Sequence, residues 1–177
     1  MRNIELKARL HDRASAEEAC EALGATFQGD IVQRDTYFPV PEGRLKLRES
    51  DPGDDYLVFY RRPDAAEARG CDYDIASVPG SVRPVLEAAL GTLAVVVKVR
   101  SLYWWHTVRI HLDRVEGLGM FIEFEAVLSH EHNDAEGLEL IRRLEKAFDL
   151  NPEDLLACSY LDMVLDPKGS TVGPILT

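Results

Sequence analysis

The first ten residues alternate. Ile4, Leu6, Ala8 and Leu10 fall on one side of an extended chain, and Asn3, Glu5, Lys7 and Arg9 on the other, because successive strand side chains take opposite faces. The two-residue period returns at residues 44–49, where Leu45 and Leu47 oppose Arg44, Lys46 and Arg48. At residues 56–62, Leu57 and Phe59 oppose Tyr60 and Arg62; a bulge would turn Arg61 inward instead of Arg62. The run at 93–100 ends with Lys98 and Arg100 on one face, and 107–113 groups Arg109, His111 and Asp113. The run at 120–128 sets Glu123 and Glu125 against Ile122, Phe124 and Ala126. Further short strands are expected at residues 26–29, 32–38 and 72–76.

A helical period appears between these runs. Ser15 with Glu18 three residues on has the form of a capping box. It predicts a helix showing Ala19, Cys20 and Leu23 on one face and stopping at Gly24. A second helix is predicted over residues 81–90, with Pro84 in its first turn. A third is predicted over 134–148, with Leu138, Ile141, Leu144 and Phe148 as its buried stripe. A short fourth starts at Asn151 with Pro152 at the first helical position. Strands outnumber helices, and short turns such as Pro39-Val-Pro-Glu-Gly43 and Glu116-Gly-Leu-Gly119 join neighbours. An α+β fold follows: a largely antiparallel sheet, capable of closing into a barrel, with helices packed outside.

Composition narrows the class. A chain of 177 residues, 46% hydrophobic and 29% charged, fits one soluble globular domain. It carries no bilayer-spanning run and no signal-peptide core. Cys20, Cys71 and Cys158 are odd in number and scattered, so neither a disulfide framework nor a structural zinc site is supported, and a reducing cytoplasm is the expected location. The net charge of −11 argues against a general nucleic-acid binder.

The distribution of charge changes that picture. The polar strand faces carry nine bases, Lys7, Arg9, Arg44, Lys46, Arg48, Arg62, Lys98, Arg100 and Arg109, and four acids, Glu5, Asp113, Glu123 and Glu125. The rest of the chain has eleven bases and twenty-seven acids, so −11 divides into +5 and −16. One reading is a solvated sheet face, which antiparallel sheets often have. The other is a lined cavity, in which crowded like charges demand a ligand. A polyphosphate would neutralise the bases. The carboxylates would repel that anion unless they hold a divalent metal that bridges to it.

The residues then resemble a known family. Asn3-Ile-Glu-Leu-Lys-Ala-Arg9 is similar to the N-terminal Glu-x-Glu-x-Lys strand of the CYTH proteins, the triphosphate tunnel metalloenzymes, which include class IV adenylyl cyclases and thiamine triphosphatases. Gln33-Arg-Asp-Thr-Tyr-Phe38, Gly43-Arg-Leu-Lys-Leu-Arg48, Lys98-Val-Arg100 and Val108-Arg-Ile-His-Leu-Asp113 follow in the family's order, as do Gly117-Leu-Gly-Met-Phe-Ile-Glu-Phe-Glu125 and Ser159-Tyr-Leu-Asp162. The resemblance sets a CYTH domain at residues 1–165 and leaves 166–177 as a C-terminal tail, rich in Gly and Pro and expected to be poorly ordered.

The resemblance implies an eight-stranded antiparallel β-barrel whose interior binds a triphosphate with Mg²⁺ or Mn²⁺. Lys7, Arg9, Lys46, Arg48, Arg62, Lys98, Arg100 and Arg109 would contact phosphates, and Glu5, Asp113, Glu123 and Glu125 would hold metal. Lys7, Arg100 and Glu123 would carry the catalysis. The implied reaction is class IV cyclase-like, ATP to cyclic AMP and pyrophosphate. The alternatives are hydrolysis of thiamine triphosphate or inorganic triphosphate, and binding without turnover. The partner is a small-molecule triphosphate (ATP, thiamine triphosphate or tripolyphosphate), with no nucleic acid and no membrane; a homodimer stays open. Two features depart from the pattern: Asn3 stands where the motif has its first Glu, and no His-Phe pair, found in some class IV cyclases, precedes it.

Smaller signals stay open. His111 is read equally as a phosphate contact and as a structural histidine. His130-Glu-His132 reads as a solvated loop in preference to a metal site. Tyr103-Trp-Trp105 reads as hairpin packing in preference to a base-stacking platform. Tyr37, Tyr60 and Tyr160 are candidate substrate hydrogen-bonders. No Walker loop or nucleophile elbow occurs, so a covalent mechanism has no support.

Overall fold

Strand parity decides the architecture. The computed structural model describes residues 2–61, 67–79, 81–129 and 133–167. The elements in chain order are β1 (Arg2–Arg9), α1 (Arg13–Ala22), β2 (Thr26–Phe38), β3 (Arg44–Asp51), β4 (Tyr56–Arg61), β5 (Arg69–Ser77), α2 (Val82–Leu90), β6 (Ala94–Trp105), β7 (Val108–Val115), β8 (Gly119–Val127), α3 (Asp134–Ala147) and α4 (Tyr160–Leu165). The strands close in the order β1-β5-β4-β3-β2-β6-β7-β8. Every pairing is antiparallel. The eight-stranded barrel with helices outside is therefore the fold of the protein.

The apolar strand faces point outward. Ile4, Leu6 and Ala8 of β1, Ile110 and Leu112 of β7, and Ile122, Phe124 and Ala126 of β8 are buried against Ala16 and Cys20 of α1 and Ile141 and Leu144 of α3. Each of the larger side chains among them, Ile, Leu or Phe, contributes roughly 1.5–3 kcal/mol when taken from water. α3 approaches closely because Gly137 faces the sheet. A Cβ there would lie 3.0 Å from Leu128 Cδ2 and 3.1 Å from Ile4 Cγ1.

One end of the barrel is filled. β1 pairs with β5 only as far as Glu5, which leaves the edge at Lys7 and Ala8 open. Leu155 bridges to Ala8, and the Leu156 N–H donates to the Lys7 carbonyl. The chain then enters α4, whose Tyr160, Leu161 and Met163 pack with Tyr37, Val96, Val115 and Phe121 at the barrel end. Arg44 on β3 donates to both carboxylate oxygens of Asp162 at 3.0 Å, tying α4 across the opening.

Several boundaries differ from the sequence reading. Helix α1 starts earlier, because Asp12 and not Ser15 is the N-cap; Asp12 accepts from the backbone N–H of Ala14 and Ser15 and from the Ser15 hydroxyl. The two short strands expected at 26–29 and 32–38 are one strand, β2, kept continuous by a register shift between Phe27 and Gly29, where Gly29 holds φ 127°. Trp104 and Trp105 belong to β6, and the turn lies at His106 and Thr107. The expected fourth helix resolves into a single 3₁₀ turn, Pro152–Asp154, and the separate α4, capped by Ser159 and Asp162. His130-Glu-His132, Arg62 and residues 168–177 lie outside the described residues. Among the described residues no helix is long and apolar enough to cross a membrane.

Candidate functional site

The polar strand faces meet inside the barrel around a cavity of about 170 Å³. That is an order of magnitude above the roughly 10–15 Å³ one water needs, so the charged side chains do not simply close on one another. They sort onto two walls.

The first wall comes from β2, β3 and β6. Its centre is Asp35, 1% exposed. Register places Asp35 opposite Arg48 of β3. Arg48 donates from Nε to Oδ1 at 2.7 Å and from Nη2 to Oδ2 at 2.8 Å; Lys46 and Lys98 Nζ reach Oδ2 at 3.0 and 3.1 Å. One carboxylate thus serves two buried lysines and a half-buried arginine. Burial alone would raise the Asp35 carboxyl, but Arg48, Lys46 and Lys98 hold it well below the usual carboxylate range. Burial pushes the Lys98 ammonium down to about 7 against the pull of Asp35, with Arg48 and Arg100 adding repulsion. Burial and Arg48 bring Lys46 down to about 8, again against Asp35. This wall carries surplus positive charge over one fixed anion.

The second wall comes from β1, β6, β7 and β8. Arg100 donates to Asp113 at 2.7 and 2.6 Å and to Glu123 Oε2 at 2.7 Å. Lys7 Nζ lies 3.0 Å from Glu123 Oε1 and 3.8 Å from the centre of the Tyr160 ring. The Tyr160 hydroxyl donates to Asp113 Oδ2 at 2.9 Å. His111 Nδ1 lies 3.4 Å from Glu123 Oε2, and Arg109 Nη1 lies 3.5 Å from Glu125 Oε2. Burial alone would raise Asp113, Glu123 and Glu125, yet all three are lowered. Arg100 and Lys98 hold Asp113 at about 2. Lys7, His111 and Arg100 hold Glu123 well below its ordinary value, and His111, Arg100 and Arg109 lower Glu125. The cations around these carboxylates hold them in the ionised form at neutral pH.

His111, Glu123 and Glu125 each offer one ligand atom, all within 4.8 Å of one another. Two carboxylate oxygens and an imidazole nitrogen are a donor set suited to a divalent cation. Glu5 sits opposite Glu125 in the β1–β8 register and lines the same cavity. Asp113 stands apart from the trio, engaged by Arg100 and Tyr160. The compact group is therefore Glu123 and Glu125, both expected to hold metal, joined by His111, which was read as a phosphate contact or a structural histidine.

Lys7, Lys46, Arg48, Lys98, Arg100 and Arg109 all line the cavity. Arg9 does not; its guanidinium stands 5.7 Å from the Phe121 ring at the filled end. Arg61 is exposed and packs on the outward Phe59 ring at 4.7 Å. Tyr37, Tyr60 and Tyr160 line the cavity. Trp105 is buried in the outer core, and Trp104 lies 5.3 Å from Arg109. Asn3 lines the cavity at 5% exposure, and its Oδ1 has no hydrogen-bond partner among the described residues. Asp35 is a cavity-lining acid that sequence reasoning missed. It lies in the quoted Gln33–Phe38 segment, and its parity with Gln33 and Tyr37 was the available signal.

The relatives share this framework. A protein of Methanocaldococcus jannaschii named "Putative adenylate cyclase" is 25% identical over 172 residues, covering 92% of this chain and 98% of its own. PH1012 of Pyrococcus horikoshii superposes with a TM-score of 0.78 at 27% identity, over 90% of this chain and 98% of its own. A Hippeastrum protein named "Putative adenylyl cyclase HpAC1", which shows a dominant triphosphatase activity, has the same fold at a TM-score of 0.71 and 16% identity, over 94% of this chain and 96% of its own. With the CYTH domain profile matching residues 1–160, this chain belongs to the CYTH domain family.

Proposed function

We propose that the protein is a divalent-metal-dependent enzyme acting on a triphosphate held in the barrel, with ATP to cyclic AMP and pyrophosphate as the first reading. The observation that carries it is the pairing of a basic wall, Lys46, Arg48 and Lys98, with a ligand trio, His111, Glu123 and Glu125. A phosphate chain lies along the first wall and spans to the second. Arg48 and Arg100 grip phosphate oxygens through their forks, and Lys7, Lys46 and Lys98 act as point charges. Glu123 and Glu125, with His111 beside them and Glu5 facing Glu125, would hold Mg²⁺ or Mn²⁺, which would supply charge neutralisation when bound. Lys7 and Arg100 pair with Glu123. They turn to phosphate when that carboxylate is otherwise engaged. Catalysis is positioning and electrostatic stabilisation.

The adenylate cyclase name of the Methanocaldococcus relative supports the first reading. Hydrolysis of the terminal phosphate is the second. It rests on the same charged side chains, which address phosphate and metal whichever oxygen attacks. The test incubates purified protein with ATP, thiamine triphosphate or tripolyphosphate in Mg²⁺ or Mn²⁺ and identifies products. Cyclic AMP with pyrophosphate is expected on the first reading and orthophosphate on the second. Triphosphate affinity without any product overturns both in favour of a binding protein.

A further inference from the structure

Asp35 has no part in the ligand trio, and a wall meant only to attract phosphate would be stronger without it. Its carboxylate is fixed on β2, lines the cavity, and has both oxygens filled by Arg48, Lys46 and Lys98. Any phosphate reaching those three cations must settle beside a buried like charge and take their hydrogen bonds away from it. Like charges brought together out of water repel strongly.

We propose that Asp35 sets the affinity threshold of the site: a resident anion that weakens the hold of the basic wall on every phosphate, so that only an anion long enough to engage the second wall as well is retained. The proposal rests on the triphosphate reading of the site. Orthophosphate has only the Asp35 cluster to gain from. A triphosphate also reaches Lys7 and Arg100 across the cavity, and these contacts outweigh the cost. After cleavage, the shorter product meets the same cost with fewer contacts. Asp35 then reclaims its cations and the product leaves.

The test is a sign. Binding of orthophosphate, pyrophosphate and tripolyphosphate is measured by calorimetry for the wild type and Asp35→Asn. A residue that merely positions the cations would weaken binding when neutralised. A resident anion predicts about tenfold or greater tightening for all three, even as the melting temperature falls, and product inhibition that strengthens by the same factor. Unchanged or weaker affinity overturns the proposal. Should Asp35→Asn fail to fold, Lys98→Met is compared with Asp35→Asn/Lys98→Met, which relieves one stranded cation. Tighter binding in the double variant supports the proposal, and equal or weaker binding overturns it. Absence of tripolyphosphate binding by the wild type at any metal concentration removes the triphosphate reading itself, a result distinct from normal wild-type binding that ignores Asp35.

Discussion

Glu123 holds three partners at once: Lys7 at 3.0 Å, Arg100 at 2.7 Å and His111 at 3.4 Å. Replacing it by Gln removes one ionised oxygen from the ligand trio but leaves Arg100 its two bonds to Asp113. Glu123→Gln is expected to cut turnover by roughly a hundredfold or more, in line with the loss of a group that stabilises charge in the transition state. The melting temperature is expected to fall much less, and equal loss of both would count against a metal role. Lys98 gives a second prediction. Its folded value lies near 7 and its ordinary value at 10.5, so between these the unfolded chain binds more protons. Stability of the ligand-free protein should therefore rise with pH from about 7 towards 10 and be lost again on acidification. Urea titrations across pH should show the rise in the wild type and a flatter curve in Lys98→Met. At this scale the sequence was legible where parity was clean. Lys7, Lys46, Arg100 and Glu123 fall where alternation put them. Asp35 was hidden because its strand lacks an apolar partner face: Val32 and Arg34, not a hydrophobic run, flank the polar positions.

The elements are held by packing that is separate from the cavity. Ile141 is fully buried between α3 and the outward faces of β1, β7 and β8. Ile141→Ala should destabilise the protein by about 2–5 kcal/mol, since the removed atoms leave a cavity. Tripolyphosphate affinity of the folded fraction should stay at the wild-type value; denaturant curves and calorimetry measure the two. α4 behaves differently. Its Ser159 hydroxyl caps the helix, and the next residue, Tyr160, reaches Asp113. Ser159→Ala should cost about 1 kcal/mol and also weaken substrate binding. Helices and strands were mostly legible because their periods are long and regular. α4 was not, since six residues hold less than two turns and its signature, Ser159 with Asp162, reads equally as a loop. Ser15 misled for a related reason: a Ser three residues after an Asp can be the donor to the cap instead of the cap.

For the molecule as a whole, closure of the barrel makes the fold independent of its ligands. The outer core of β1, β7, β8, α1 and α3 is apolar, and the inner cations already have carboxylate partners. Chelation should therefore abolish turnover while leaving the circular dichroism spectrum unchanged. Mn²⁺ should then raise the melting point in proportion to the logarithm of its concentration. Eight strands were counted from the resemblance, but their closure order, with β5 between β1 and β4, is a long-range fact that no local pattern carries. The filled end of the barrel has a further consequence. α4, Phe121 and Leu156 pack together at that end, so on the triphosphate reading a phosphate chain is expected to enter tail first from the opposite end. Whatever the chain is attached to would then stay outside, and a triphosphate tethered by its other end to a bead should still be captured.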